Sequence, residues 1–218
     1  MYSLLKYLFD KILSCLGICT LAPLFLALSI LIRSEDRGPV FYRGIRVGRY
    51  GRPFRAFKFR TMVVDAERQG ASSTSDDDTR ITRIGKFLRK YKLDELPQLI
   101  NVLKGDMSIV GPRPEVKKFT DLFSEEEKAI LTVRPGITDW ASIWNSDEGS
   151  FLAGAKDPDR MYFELVRPTK IKLQLKYVRE SSMKTDLKII LLTLLAIVRP
   201  ESQAVRGIRH ALVSHIQG

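Results

Sequence analysis

The chain has 218 residues, with 36 Lys or Arg against 25 Asp or Glu, and a formal charge of +11. That length buries one good core and argues against two independently folding domains. Its two cysteines, Cys15 and Cys19, lie one helical turn apart in an apolar stretch without the spacing of a disulfide framework or a zinc site, and read as small apolar residues.

From the N-terminus, residues 12–32 carry no charge for 21 positions, about 30 Å as helix and enough to reach across a hydrocarbon core. No small-residue cleavage site follows, so the segment reads as a membrane anchor rather than a signal peptide. Lys6 and Lys11 flank one end, and Arg33, Arg37, Arg43 and Arg46 the other, which draws both ends toward the cytoplasm. Pro23, in the middle, removes a backbone hydrogen bond and can bend the helix. A straight anchor with a tolerated proline and a re-entrant helix both fit these residues. Between Arg33 and Lys92 there are 16 Lys or Arg against 7 Asp or Glu, so most of the positive excess follows the apolar segment. Such a field attracts nucleic acid, anionic head groups or a phosphorylated substrate, and charge alone does not choose.

Residues 40–47 and 54–59 are rich in aromatic and β-branched side chains that partly alternate with basic ones, and 48–53 supply turn chemistry, which predicts a β-hairpin. Lys58 and Arg60 at its end are candidate phosphate contacts; an edge strand kept soluble by charge explains them equally. Residues 69–79, QGASSTSDDDT, read as a solvated loop, because the acidic triplet lacks the alternate spacing and closing Glu of a calcium loop.

Arg80, Arg83, Lys86 and Arg89 recur every third residue and predict a helix with one basic side. Next, Asp94 and Glu95 open a predicted helix through Lys104, with Asp as N-cap, Pro97 in the first turn and Gly105 just past the end. The pair can be capping chemistry or reactive carboxylates. Pro112 and Pro114 hold Arg113 in a stiff turn that presents its guanidinium, a group suited to phosphate, although a structural carboxylate could also take it. Helix is predicted over 115–131, with the Ser124 to Glu127 spacing suggesting a capping box where a second segment starts. Trp140 and Trp144, one turn apart, suit core or interface packing. A long helix from 157 to about 180 precedes residues 184–200, whose uncharged run is too short to span and suits a core or interface-lying helix. The tail, 201–218, is expected to be ordered only in part.

The stretch 79–115, TRITRIGKFLRKYKLDELPQLINVLKGDMSIVGPRPE, strongly resembles the bacterial sugar transferases known as monotopic phosphoglycosyl transferases. The motifs GPVFY, KFRTM and RPGIT followed by Trp add to that resemblance. These enzymes have a broken, re-entrant helix often marked by Ser-Pro, where this chain has Ala22-Pro23, and many have Gly where it has Asp139. The resemblance implies an α+β, mainly helical fold. Residues 1–34 form a re-entrant membrane helix, 35–200 one catalytic domain with a small β-hairpin and amphipathic interface helices, and 201–218 a tail.

It further implies transfer of a phosphosugar from a nucleotide diphosphate sugar, with uridine the expected base, to polyprenol phosphate at the cytoplasmic face of a bacterial inner membrane. Asp94 becomes the covalent nucleophile and a Mg²⁺ contact, and Glu95 a general acid or base or an aid to the metal. Arg89 and Arg113, framed by Pro112 and Pro114, clamp phosphates; Lys58, Arg60 and Arg134 are further substrate contacts. Membrane lipid is the expected surface, nucleic acid is not an expected partner, and a homodimer is one of the states the sequence allows. The competing readings are a basic membrane or nucleic-acid binding protein with no use for Asp94, and a membrane hydrolase that passes the sugar phosphate to water.

Overall fold

The structure is a computed structural model that describes residues 2–66, 74–75, 77–145, 152–199 and 202–217. It is mainly helical with two small sheets. The first 35-residue element, α1 (Tyr2–Asp36), is one uninterrupted helix with Pro23 inside it, long and apolar enough to cross a membrane by length and composition. The break expected at Pro23 is absent from its hydrogen-bonded span. Ser14 and Thr20 donate to Asp10 and Leu16 carbonyls one turn back, and Ser29 donates to that of Phe25.

One stripe of α1 packs against the rest of the molecule along its whole length. Near the start, Lys6 and Tyr2 reach the buried Asp186 at 2.8 and 2.9 Å, and Asp10 accepts from the Ile109 N–H at 3.1 Å. Gly17 lies against Leu99, while Leu24, Phe25, Leu28 and Ile32 join a cluster with Phe59 and Leu88. At the end, Asp36 pairs with Arg60, and Glu35 accepts from the Arg83 N–H at 2.9 Å. The opposite side leaves Leu8, Ile12, Leu16, Leu26 and Ile30 about half exposed or more, with Cys15 and Cys19 among them as free thiols.

The hairpin forms as its composition predicts. Strands β1 (Phe41–Val47) and β2 (Pro53–Phe59) pair antiparallel, Phe41 opposite Phe59 and Val47 opposite Pro53. Their turn needs a left-handed residue, supplied by Tyr50 at φ 59°. Of the acidic loop, residues 69–73 and Asp76 lie outside the described residues; Asp78 pairs with Arg80 at 2.6 Å, so that arginine precedes the basic helix rather than belonging to it. Helix α2 (Arg83–Lys90) is capped by Thr82, whose hydroxyl accepts from Gly85. A Cβ on Gly85 would sit 2.0 Å from the Thr61 carbonyl oxygen, so only glycine lets α2 approach the end of the hairpin.

The predicted helix from Asp94 is corrected. Lys92 reverses the chain at φ 56°, Leu93–Glu95 form a 3₁₀ turn, and α3 (Gln98–Lys104) starts after Pro97. Gly105 ends α3 at φ 94°, as its position implied. The expected helix over 115–131 is likewise two short pieces, α4 (Lys117–Thr120) and a 3₁₀ segment Glu127–Thr132. The capping box does form: the Ser124 N–H donates to Glu127 at 2.9 Å and the Glu127 N–H to the Ser124 hydroxyl at 3.2 Å.

Unforeseen in the sequence, β3 (Ser108–Val110) and β4 (Gly136–Thr138) pair parallel at the centre. They carry Ile109 and Val110 into a core that includes Val102, Met107, Trp140, Ile143, Leu173 and Tyr177, with Ile137 packed against it. Helix α5 (Trp140–Trp144) follows β4; residues 146–149, the end of the RPGIT motif region, lie outside the described residues. Then come α6 (Pro158–Met161), a π-helical turn Tyr162–Val166, α7 (Arg167–Glu180) and α8 (Met183–Val198). The expected loose tail instead contains α9 (Gln203–Gln217), whose Leu212 joins the central core.

Asn101 sets the register between the hairpin and α3. Its side-chain oxygen accepts from the Phe57 N–H and its nitrogen donates to the Arg55 carbonyl, both at 2.8 Å, so one buried amide stands in for a strand on the free edge of β2. Replacing it with Leu leaves those backbone groups unsatisfied, and we expect a loss of about 3 kcal/mol, read as a lower unfolding midpoint in detergent, whereas an unchanged midpoint would show that the edge finds other partners.

Candidate active site

Glu95 collects the cations. Lys58, projecting from β2 on the face opposite Phe57 and Phe59, reaches Glu95 Oε1 at 2.7 Å. Arg113 grips both oxygens of the same carboxylate, with Nη1 to Oε2 at 2.8 Å and Nη2 to Oε1. Burial by itself raises the Glu95 carboxyl, but Arg113 and Lys58 together overcome it and hold the group well below the usual carboxylate range. Glu95 is therefore anionic at neutral pH and has no proton to donate.

Asp94, one residue earlier on the same 3₁₀ turn, is in the opposite condition. It is buried, and among the described residues no side chain or backbone N–H donates a hydrogen bond to its carboxylate. Nor does it cap α3, so the capping explanation of its presence fails. Burial raises its pKa; Lys58, Arg89 and Arg113 oppose that, and the charge of Glu95 reinforces it. A raised, unpaired carboxylate beside three cations is more basic than an ordinary aspartate, yet still faces positive charge.

The rest of the structure holds the cations in place. Arg89 Nε donates to the Thr61 hydroxyl at 3.0 Å, which fixes the end of α2 to the segment just past the strand that carries Lys58. The Pro112–Pro114 turn leaves β3 where two backbones cross. The Gly111 N–H donates to the Thr138 carbonyl and the Gly136 N–H to the Pro112 carbonyl, both at 3.0 Å, and a Cβ on Gly136 would come within 2.1 Å of Gly111 nitrogen. Asp139, where the resembling family often has Gly, is fully buried: it caps α5 through Ser142 and accepts from the Arg113 N–H at 3.3 Å. Just after Pro114, Glu115 accepts from the Tyr162 hydroxyl at 2.8 Å and pairs with the buried Lys170 at 2.6 Å.

Lys58, Arg89 and Arg113 are thus brought to the carboxylate pair, with Pro112 and Pro114 framing the last. Arg60 and Arg134 are not. Arg60 is buried, with its guanidinium on Asp36 and on the Pro39 and Met62 carbonyls, so it ties the end of α1 to the hairpin. Arg134 lies 4.7 Å over the Tyr7 ring of α1. Sequence reasoning overlooked Thr61, Asn101, Asp139 and the Glu115–Lys170 pair; Thr61 and Asp139 sat inside motifs already singled out, whereas Lys170 had no local signal at all.

These motifs decide the family. The sequence matches the bacterial sugar transferase family over residues 1–200. The chain belongs to the bacterial sugar transferases. It is 38% identical over 202 residues to the UDP-N-acetylgalactosamine-undecaprenyl-phosphate N-acetylgalactosaminephosphotransferase of Aeromonas hydrophila, covering 90% of this chain and 44% of that protein. It is 36% identical over 193 residues to the UDP-glucose:undecaprenyl-phosphate glucose-1-phosphate transferase of Escherichia coli, covering 87% and 39%. With the uncharacterized sugar transferase EpsL of Bacillus subtilis it shares 34% over 215 residues, 99% of this chain and 96% of the other. The chain therefore spans less than half of the first two relatives and nearly all of the third.

The buried Glu115–Lys170 pair gives a pH-dependent test of how this sugar transferase supports Arg113. Burial raises the Glu115 carboxyl, but Lys170, with the Tyr162 hydroxyl, more than offsets it and leaves it lowered. A depressed folded-state pKa contributes stability above the ordinary glutamate range that is lost as pH falls through the folded value. Lys170→Met strands a buried carboxylate and should cost about 3–5 kcal/mol at neutral pH. Thermal melts at neutral and acidic pH should show that deficit shrinking on acidification, as Glu115 takes up a proton; a deficit independent of pH would mean lost packing, not lost charge.

Proposed function

We propose that this sugar transferase moves a sugar phosphate from a nucleotide diphosphate sugar, with uridine as the base, to a polyprenol phosphate through a covalent intermediate on Asp94. The observation that carries the reading is the contrast within one turn: Asp94 unpaired with a raised pKa, Glu95 locked between Lys58 and Arg113. The names of its relatives, which act on UDP-sugars and undecaprenyl phosphate, support the two substrates.

In the first step an Asp94 oxygen attacks the phosphorus that bears the sugar. The bond from that phosphorus to the bridging oxygen breaks, and the electron pair leaves on the nucleoside monophosphate. In the second, a phosphate oxygen of the acceptor attacks the same phosphorus, forms the diphosphate link and returns Asp94 as a carboxylate. Lys58, Arg89 and Arg113 neutralise the diphosphate so that an anionic nucleophile can approach it. Arg113 offers a planar, bidentate donor pair, which Glu95 keeps assembled in the absence of substrate. Asp94, whose oxygens take no hydrogen bond among the described residues, would be the protein ligand to a Mg²⁺ ion, which would supply further charge neutralisation.

The placement of α1 supports a monotopic arrangement. Both its ends are tied to one folded unit, through Asp186 near the start and Arg60 at the finish, so a crossing that put the ends on opposite sides would have to break one set. We read α1 as re-entrant in this sense, embedded in one leaflet by its outer apolar face. The basic residues at either flank favour the cytoplasmic side for that leaflet, the side of a soluble nucleotide sugar donor.

Incubation of purified protein with Mg²⁺ and labelled UDP-sugars, without acceptor, should release UMP in a stoichiometric burst and leave a mass adduct on Asp94. Asp94→Asn should lower turnover by about 10³-fold or more with an unchanged unfolding midpoint. An adduct elsewhere, or no half-reaction with any donor, overturns the mechanism.

A further inference from the structure

The hairpin has two faces with different business. Tyr42, Ala56 and Lys58 turn toward the core and the carboxylate pair, whereas Phe41, Arg43, Ile45, Arg55, Phe57 and Phe59 share the other face. At one end of that second face α1 covers the sheet, with Phe25 edge-on to Phe59 at 5.4 Å and Phe41 stacked on Phe59 at 5.5 Å. At the other end the cover stops. Phe57 is flanked there by the Arg43 guanidinium at 5.8 Å and the Lys104 ammonium at 5.7 Å; beyond it lie exposed Arg55 and Ile45, the latter 58% exposed. Arg52 and Tyr50 extend the surface at the tip, and Tyr50 is 63% exposed. Arg43, Arg52 and Arg55 make no ion pair among the described residues.

From this arrangement we infer that the α1-side face of the hairpin docks on the phosphate head groups of anionic phospholipids. The inference rests on the reading of α1 as lipid-embedded. Three observations favour lipid over an acidic protein. The face lies on the side of the sheet that α1 occupies, so a membrane around α1 meets it. Only residues 37–40 separate α1 from β1, which makes these arginines juxtamembrane. And exposed Ile45 and Tyr50 among unpaired cations are the mixture that a head-group boundary accommodates, apolar tips inward and charges on phosphate.

The test uses the whole chain with Cys15→Ala, Cys19→Ala and Ile45→Cys, labelled with bimane, in nanodiscs of phosphatidylcholine alone or mixed with phosphatidylglycerol. Brominated acyl chains should quench the label strongly in the anionic discs and weakly in the neutral ones, and high salt should reverse the difference. Arg43→Gln with Arg55→Gln should reduce anionic-disc quenching to the neutral level while turnover in detergent stays unchanged. Equal, salt-insensitive quenching in both discs would reduce the face to a nonspecific apolar contact and overturn the proposal. No quenching in either would overturn it in favour of an acidic protein partner. Detergent turnover keeps this outcome separate from that of the transfer reaction, since its loss in the unsubstituted chain sinks the enzyme reading without touching the quenching.

Discussion

The arrangement depends on one half-buried carboxylate, Glu95, which draws together a lysine from a hairpin and an arginine from a proline-bounded turn. Without that anion the two neighbouring cations would repel each other. With it, Lys58 and Arg113 are held side by side, the arrangement that the proposed phosphate contacts require. The neighbouring Asp94 keeps its own oxygens free because Lys58 and Arg113 are engaged by Glu95, and Arg89 Nε by the Thr61 hydroxyl. Two chemically similar side chains, adjacent in sequence, are thus separated into a fixed counter-ion and a carboxylate with free oxygens, the contrast on which the proposed nucleophile role rests.

The support behind this division is rigid. Asn101 fixes β2 to α3, Thr61 fixes Arg89 to the end of the hairpin, and Asp139 fixes the Arg113 backbone to α5. Asp139 also explains how this chain tolerates a departure from the usual glycine. The side chain turns inward and takes over a capping position, so it adds a contact without intruding on the space beside Arg113.

How much of this was legible in the sequence follows from range. The hairpin, the capping box at Ser124 and the αL stop at Gly105 depend on residues a few positions apart, and those patterns read correctly. The carboxylate pair was found, but its local structure was not: Lys92 adopts a left-handed backbone that no propensity suggests, turning an expected helix start into a 3₁₀ turn. Long-range partners were invisible. Arg60 looked like a phosphate contact until Asp36, far back along the chain, claimed it, and Arg134 likewise settled over Tyr7. The three-residue strands β3 and β4 carry too little pattern to announce a parallel pair, and the tail helix α9 was not assigned although Val205, Ile208 and Leu212 recur in it at helical spacing.

The way α1 is built in bears on what part of the molecule can exist alone. Asp10 holds the Ile109 N–H in β3, two residues from the glycine that opens the Arg113 turn, and Phe25 and Leu28 roof Phe59 beneath the hairpin. A fragment cut after Asp36 would lose an inner wall rather than a tether, baring the strand that leads into the Arg113 turn. The N-terminal helix and the unit that carries the carboxylate pair are in this sense one folding unit.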